Sequence, residues 1–549
     1  MHGRFIKSDY TKQFSKSKES KEAISTEINT AMGNTKKSVL NIVTGILGQV
    51  ITIAIGILLP RLFITSYGSE TNGFLSSINT LVSYLALLEA GVGTATVQAL
   101  YGPIGRSDRG KINGILSATN RFYKRTGLAY GIIIVCLAIG YPLIVPSELS
   151  FLLQSAIILL VGAGGVLGYL FQAKFRLLLQ AEGKQYIITN ITTTIHVCTS
   201  VGKLVCISLG LSVIWLQILQ FVLVIVQIVC YYAYVYKHYG WIDLKVEPDE
   251  KAISQKKNVL VHQISEMIFN HIDVVLLTLI VRDLRIVSVY TLYNMFVDMI
   301  STLIGNVNTG FVFRLGQHYN NTDPEKHRSV FDVYETFYMA LSFSLYTVTY
   351  MFLHPFMRLH TSGVKDVDYM LPLLPLLFVA YKLLICGRAA CGGLSSYAGH
   401  FKQTQMHSII ETSINLVVST GAVILFEQLW GLGIYGVLVG TIAALLFRAN
   451  IMIIYANKHI LYRSCWETYK KWVLNVGLTI ACCAVFVIIS PEINDYFHLI
   501  LYGALTGTAV ILVFFISNAL LKKDNTVFLI NYVKGKWKKR RKRTEEKTT

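Results

Sequence analysis

Apolar residues gather into runs of about twenty, the length a helix needs to cross a bilayer, and short polar connections separate the runs. Fourteen such runs are read: residues 39–60, 73–98, 126–146, 150–172, 187–208, 212–235, 257–281, 287–312, 331–354, 369–387, 406–426, 431–455, 472–490 and 497–521. The pattern predicts an all-α polytopic membrane protein with 14 transmembrane helices. One run is unusual. Between Lys257 and Val281 it carries His262, Glu266, Asn270 and Asp273, which at about 100° per residue fall on one face of a helix. Ionisable side chains at membrane depth cost about 2.5 to 3.5 kcal/mol each on insertion scales, so such a stripe faces a bundle interior or a wet cavity rather than lipid. The alternative is that His262 and Glu266 pair to lock two helices together.

Composition agrees with the pattern. Apolar residues make up 53% and charged ones 15%, against about 25% charged in a soluble domain, and the mean hydropathy is +0.51. The net charge of +19 raises the question of nucleic acid, but the charges sit in connections and tails, and no zinc-knuckle, RNA-binding or helix-turn-helix pattern accompanies them. Nucleic acid is therefore not an expected partner. The nine cysteines lie mostly within apolar runs without metal-ligand spacing and read as small buried hydrophobes, with no metal expected.

Charge also sets orientation. With the amino terminus inside, 43 of the 50 Lys and Arg residues fall in inner connections and tails, and five, Arg61, Arg282, Arg285, Arg358 and Lys365, fall in outer connections. Lys203 and Lys382 lie within runs. This positive-inside asymmetry places both termini in the cytoplasm. A gapless shift of 215 residues superposes Asn79 on Asn294, Val92 on Val307, Thr94 on Thr309, Leu100 on Leu315, Phe122 on Phe337 and Tyr123 on Tyr338. It implies a duplication of six spans in parallel orientation. The expected organisation is a polar cytoplasmic tail at 1–38, an amino-terminal lobe at 39–236 and a carboxy-terminal lobe at 257–457. A helix pair at 472–521 and a basic cytoplasmic tail at 522–549 complete it. The tail's run from Lys534 to Arg543 is of a kind that attracts anionic lipid by about 1 kcal/mol per charge, although it serves equally as a topology signal.

Polar stripes recur. Thr192, His196, Thr199 and Lys203 share a face of the fifth span; His407, Glu411, Asn415 and Ser419 follow at four-residue steps in the eleventh. Asn294 and Asp298 lie in the eighth span, Lys382 and Arg388 in the tenth, and Glu89 in the second. Stripes on two similar lobes suit a shared cavity better than isolated helix-to-helix bonds. Lys203, Lys382 and Arg388 suit an anionic headgroup, and Glu89, Glu266 or Asp273 could carry a coupling proton or sodium ion. An internal salt bridge is the structural alternative for each. No cofactor is expected. The longest outer connection is Phe356 to Asp368, and the inner ones hold no Walker loop, His-Glu-x-x-His or nucleotide-binding glycine motif, so the chain does not read as an enzyme.

Three stretches carry a resemblance: Lys36-Lys37-Ser38-Val39-Leu40-Asn41-Ile42, Leu87-Leu88-Glu89-Ala90-Gly91-Val92-Gly93-Thr94-Ala95, and Leu179-Gln180-Ala181-Glu182-Gly183-Lys184-Gln185-Tyr186. Together, over residues 34–521, they resemble the polysaccharide-transporter branch (Wzx-like flippases) of the multidrug/oligosaccharidyl-lipid/polysaccharide (MOP) exporter superfamily. The resemblance implies two six-helix lobes working by alternating access and a terminal helix pair able to form a groove for a lipid tail. It also implies movement of an undecaprenyl-diphosphate-linked oligosaccharide across a bacterial cytoplasmic membrane for surface polysaccharide assembly. A polysaccharide polymerase and other assembly proteins would be partners. An ion-coupled drug or metabolite antiporter of the same superfamily is the alternative, and a membrane glycan polymerase or transferase comes third.

Overall fold

A computed structural model describes residues 48, 51, 55–89, 91–253, 257–321, 323–489 and 491–521. The amino-terminal tail, most of the first expected span and the basic carboxy-terminal tail lie outside these residues. Helix dominates, and no strand occurs among the described residues. The helices are α1 Ile55–Glu89, α2 Val92–Gly105, α3 Arg109–Ile144, α4 Phe151–Ala181, α5 Gln185–Ser208, α6 Val213–His238, α7 Lys257–Leu276 and α8 Leu284–Asn321. They continue with α9 Pro324–His360, α10 Leu374–Tyr397, α11 Phe401–Trp430, α12 Gly433–His459, α13 Trp466–Ile489 and α14 Tyr496–Leu521. Among the described residues twelve are long and apolar enough to cross a membrane, thirteen if α1 and α2 form one bent span. The protein is a multi-pass membrane protein with the expected all-α fold.

Two features differ from the sequence reading. The expected span 73–98 is not one helix. Leu85–Glu89 tighten into a 3₁₀ turn, and Gly91 adopts φ 81°, a left-handed conformation open to glycine at no steric cost, before α2 begins. Helices α3 and α9 also start well before the expected 126 and 331. Their polar first turns, which read as connections, continue the helix, and α9 opens with Asp323 at the N-cap and Pro324 at the first helical position. The helix starts Arg109 and Pro324 are separated by the 215 residues of the sequence shift and Gln185 and Phe401 by one more, whereas Val213 and Gly433 are five further apart than that shift.

The chain packs into two compact units. The first includes Gly91–Cys136 and Ala156–Gln255. Its core gathers Leu100, Ile115, Leu116, Leu178, Leu179, Ile188 and Tyr231 from α2 to α6. The polar segment after α6 lies along α3: Asp249 N–H donates to the Gly114 carbonyl (3.1 Å) and the Ser117 hydroxyl to the Val246 carbonyl (2.8 Å).

The second unit includes the described residues of Pro60–Ala90, Leu137–Ser155 and 257–521. Within α1, Gly68 leaves the helical conformation at φ 82°. There the Asp366 carboxylate accepts the Ser69 N–H (2.6 Å) and hydroxyl (2.8 Å), satisfying a donor that the break exposes. Helices α11 and α12 make the closest seam. Gly436 and Gly440 on α12 face the α11 backbone so tightly that a Cβ at 436 would lie 2.6 Å from Val423 Cα, and one at 440 would overlap Ser419. Small residues one turn apart allow such approach in a bilayer, where dispersion and hydrogen bonds, not water exclusion, drive helix association.

Four charges are buried where α9 meets the start of α13. Glu335, 0% exposed, accepts from Arg463 (2.7 Å), Lys471 (2.6 Å) and the Thr468 hydroxyl (2.9 Å). Asp332 accepts from Arg463 (2.8 Å) and Lys471 (2.7 Å). The charges balance, and each carboxylate meets both cations.

Candidate functional site

Helices α7, α10, α11 and α12 of the second unit enclose a cavity of about 380 Å³, within the range of small-molecule sites. α7 supplies His262, Glu266 and Asn270, α10 Arg388, α11 Ser408 and Glu411, and α12 Arg448. The four-residue steps along α7 place its three side chains on one face, as the sequence spacing requires. Arg448 was not identified from sequence as a site residue. It stands inside α12 and is 7% exposed, although its position near the inner end of an apolar run reads as a topology charge.

Glu411 lies between the two arginines. One carboxylate oxygen is 3.1 Å from Arg388 Nη2 and the other 3.3 Å from Arg448 Nε. Neither approach has hydrogen-bond alignment: Arg388 Nε, Arg448 Nε and Arg448 Nη1 are buried without a hydrogen-bond acceptor. Arg448 Nη2 alone is satisfied, donating to Ser408 Oγ (2.9 Å). His262 Nε2–H donates to the Phe401 carbonyl (2.9 Å), which fixes the tautomer in the neutral ring and leaves Nδ1 to accept the Ser408 hydroxyl (2.9 Å). The formal charges of Arg388 and Arg448 are thus offset by Glu266 and Glu411.

Asp273 and Asn415, expected on the same surface, do not open on this cavity. Asp273 is 5% exposed and accepts from Tyr290 (2.8 Å) and Thr441 (3.0 Å). Asn415 donates from Nδ2 to Thr441 Oγ1 (3.0 Å), while its Oδ1 is buried with no donor. A carboxylate, two hydroxyls and an amide oxygen make a hard-oxygen set of the kind that suits an alkali or other hard cation. Among the described residues no group of three His, Cys, Asp or Glu side chains is arranged to hold a metal ion.

A third group joins α8 and α10. Lys382 pairs with Asp298, Asn294 Nδ2 donates to Asp298 (2.7 Å), and the Tyr381 hydroxyl donates to Asn294 Oδ1. Asp298 keeps 47% of its side chain exposed. Thr192, His196 and Lys203 belong to the first unit. There Lys203 donates to Gln220 Oε1 (2.6 Å), Thr192 bonds back to the Ile188 carbonyl (2.8 Å) and His196 is exposed. Glu89 is half-buried at the 3₁₀ end of α1.

An apolar groove of about 660 Å³ runs between α13 and α14. Leu478, Val485, Phe486, Val510 and Val513 line it, with Met351 of α9.

No protein-family model matches the sequence, and no curated protein matches it either. Solved structures match the fold. The lipid II flippase MurJ in an inward closed conformation aligns with a TM-score of 0.65 at 14% identity, covering 88% of this chain and 99% of that one. An inward-facing multidrug resistance MATE family transporter of the MOP superfamily aligns at 0.57 and 15% identity, covering 75% and 98%. An outward-facing one aligns at 0.51 and 15%, covering 76% and 95%. These neighbours are transporters and flippases, and the chain shares their polytopic helical fold.

Proposed function

We propose that the protein is a flippase that moves an undecaprenyl-diphosphate-linked oligosaccharide across the bacterial cytoplasmic membrane by alternating access, for surface polysaccharide assembly. The observation that carries this reading is the cavity lined by two guanidinium groups, those of Arg388 and Arg448. Guanidinium groups match phosphate oxygens in charge and fork geometry. The groove between α13 and α14 offers an apolar channel for the prenyl chain. A neighbour whose own name specifies a lipid-linked substrate supports the reading. In this proposal Lys203 of the first unit and the Asp298–Lys382 pair of the second each offer the substrate a further polar contact. Both termini are cytoplasmic, the basic tail meets anionic lipid, and a polymerase receives the flipped unit.

The test is transbilayer movement of a fluorescent undecaprenyl-diphosphate-linked sugar in proteoliposomes. Arg388→Ala with Arg448→Ala is expected to lower the initial rate at least tenfold while leaving reconstitution unchanged; an unchanged rate would refute the assignment. In cells, depletion should trap lipid-linked repeat units on the inner leaflet.

A second reading, an ion-coupled antiporter, is favoured by the MATE neighbours and by the Asp273 oxygen set with its orphan Asn415 Oδ1. Uptake of organic cations in the same vesicles, with no movement of the lipid, would decide for it. In either reading Asp273 is the carboxylate suited to a coupling sodium ion or proton, ahead of Glu266 and Glu89. Asp273→Asn should remove any dependence of transport on an ion gradient.

A further inference from the structure

The cavity raises a problem that its own geometry answers. Arg388 and Arg448 are offset by Glu266 and Glu411 on the same walls, so the cavity carries no net formal charge with which to hold a multiply charged anion. One carboxylate, however, occupies the place such an anion would take. Glu411 lies between the two guanidiniums at 3.1 and 3.3 Å, yet it forms neither of the forked hydrogen bonds that make an arginine–carboxylate pair strong. Three guanidinium nitrogens of these two arginines have no hydrogen-bond acceptor. By contrast, the carboxylate of Glu335 is bonded from three sides. A carboxylate held by charge alone, in a cavity with unused donors, is arranged to be replaced.

We propose that Glu411 is an internal stand-in for the substrate's anion. It holds Arg388 and Arg448 while the cavity is empty and is displaced by the phosphate oxygens of the entering headgroup. This rests on the anionic-substrate reading above. A diphosphate brings more charge and more acceptor oxygens than one carboxylate, so it engages the unused donors as well. The displaced carboxylate is then left on a wall shared with Glu266, a like charge. Its return to the arginines competes with the bound anion and promotes release. Glu411 therefore weakens binding and speeds turnover, so it is a positioning residue that sets how firmly the headgroup is held.

The test is isothermal titration of the full-length protein in lipid nanodiscs with inorganic pyrophosphate and with farnesyl diphosphate. Glu411→Gln should tighten binding of both probes at least tenfold and slow lipid movement in proteoliposomes. A purely structural role would weaken both. Glu411→Ala, which leaves a void, should bind pyrophosphate tightly until acetate is added; acetate should then compete in the variant and not in the wild type. Should Glu411→Gln not fold, this acetate competition decides the matter. Unchanged or weaker affinity in the folded variants, or no effect of acetate, overturns the stand-in role. Arg388→Ala and Arg448→Ala separate the two readings. If they abolish pyrophosphate binding while Glu411→Gln leaves it unchanged, only the stand-in fails. If they bind as the wild type does, the anionic-substrate reading fails with it.

Discussion

The buried four-charge cluster allows a sharp test of what holds α9 against the start of α13. Replacing Glu335 by alanine leaves the Asp332 carboxylate to offset both Arg463 and Lys471 and deprives the Thr468 hydroxyl of its acceptor. Removing one member of a buried ion pair costs about 3 to 5 kcal/mol, because the orphaned charge stays out of water. At about 1.4 kcal/mol per factor of ten, the folded-to-unfolded ratio should fall by roughly two to three and a half decades. Glu335→Ala with Lys471→Met removes one charge of each sign and leaves Arg463 on Asp332. It should therefore cost less than Glu335→Ala alone, a non-additivity expected of groups in one network. Lys326 and Asp323, a pair at the start of the same helix with 73% and 76% of their side chains exposed, supply the control. Lys326→Ala should change nothing measurable, since exposed pairs contribute about 0 to 1 kcal/mol. The assay is reversible denaturant unfolding in bicelles, followed by tryptophan fluorescence. A Glu335→Ala cost below about 1 kcal/mol, or a double variant as costly as the two single ones together, would refute the reasoning.

Two further outcomes follow from packing. Gly440→Val should prevent α11 and α12 from closing and abolish accumulation of folded protein, whereas Gly421→Ala on the same pair meets nothing within 4 Å and should be neutral; monodispersity on size exclusion separates them. Asp366→Ala removes the acceptor of the Ser69 N–H and should cost about 0.5 to 2 kcal/mol, the range for loss of a helix cap, read in the same unfolding assay.

The spans were legible because a bilayer makes length and apolarity nearly sufficient: twelve of the fourteen runs coincide with described helices. What the runs did not reveal was helix beyond the membrane. The polar first turns of α3 and α9 carry the charge of a connection yet continue the helix. The four-residue steps placed His262, Glu266 and Asn270 on the face that lines the cavity, and Arg388 and Glu411 meet them there. The same steps cannot say whether a face is wet or dry, so Asp273 and Asn415 carried the same signal and fell into a closed cluster. Arg448 was hidden by position, since a lone arginine near the inner end of an apolar run serves topology equally well. The Glu335 cluster has no local signal at all, because its acids lie on α9 and its bases more than a hundred residues later.

Three of the four polar groups of α7 to α13 differ less in composition than in how completely they are satisfied, and that difference ranks them. In the Glu335 cluster charges balance and acceptors are shared, which gives a rigid joint. The Asp273 group is closed but leaves one amide oxygen without a donor. The cavity group leaves three guanidinium donors unused beside a single carboxylate. An unmet buried polar group costs about 1 to 3 kcal/mol, so of these groups the one around Arg388 and Arg448 carries the largest such cost. Refilling those contacts with well-packed apolar side chains is expected to stabilise the fold, as replacing buried ion pairs by apolar residues often does. Arg388→Met with Glu411→Leu and Arg448→Met should therefore raise the unfolding midpoint while abolishing transport. If the triple variant were less stable than the wild type, the unused donors would be serving the fold and the cavity would lose its claim to be the site.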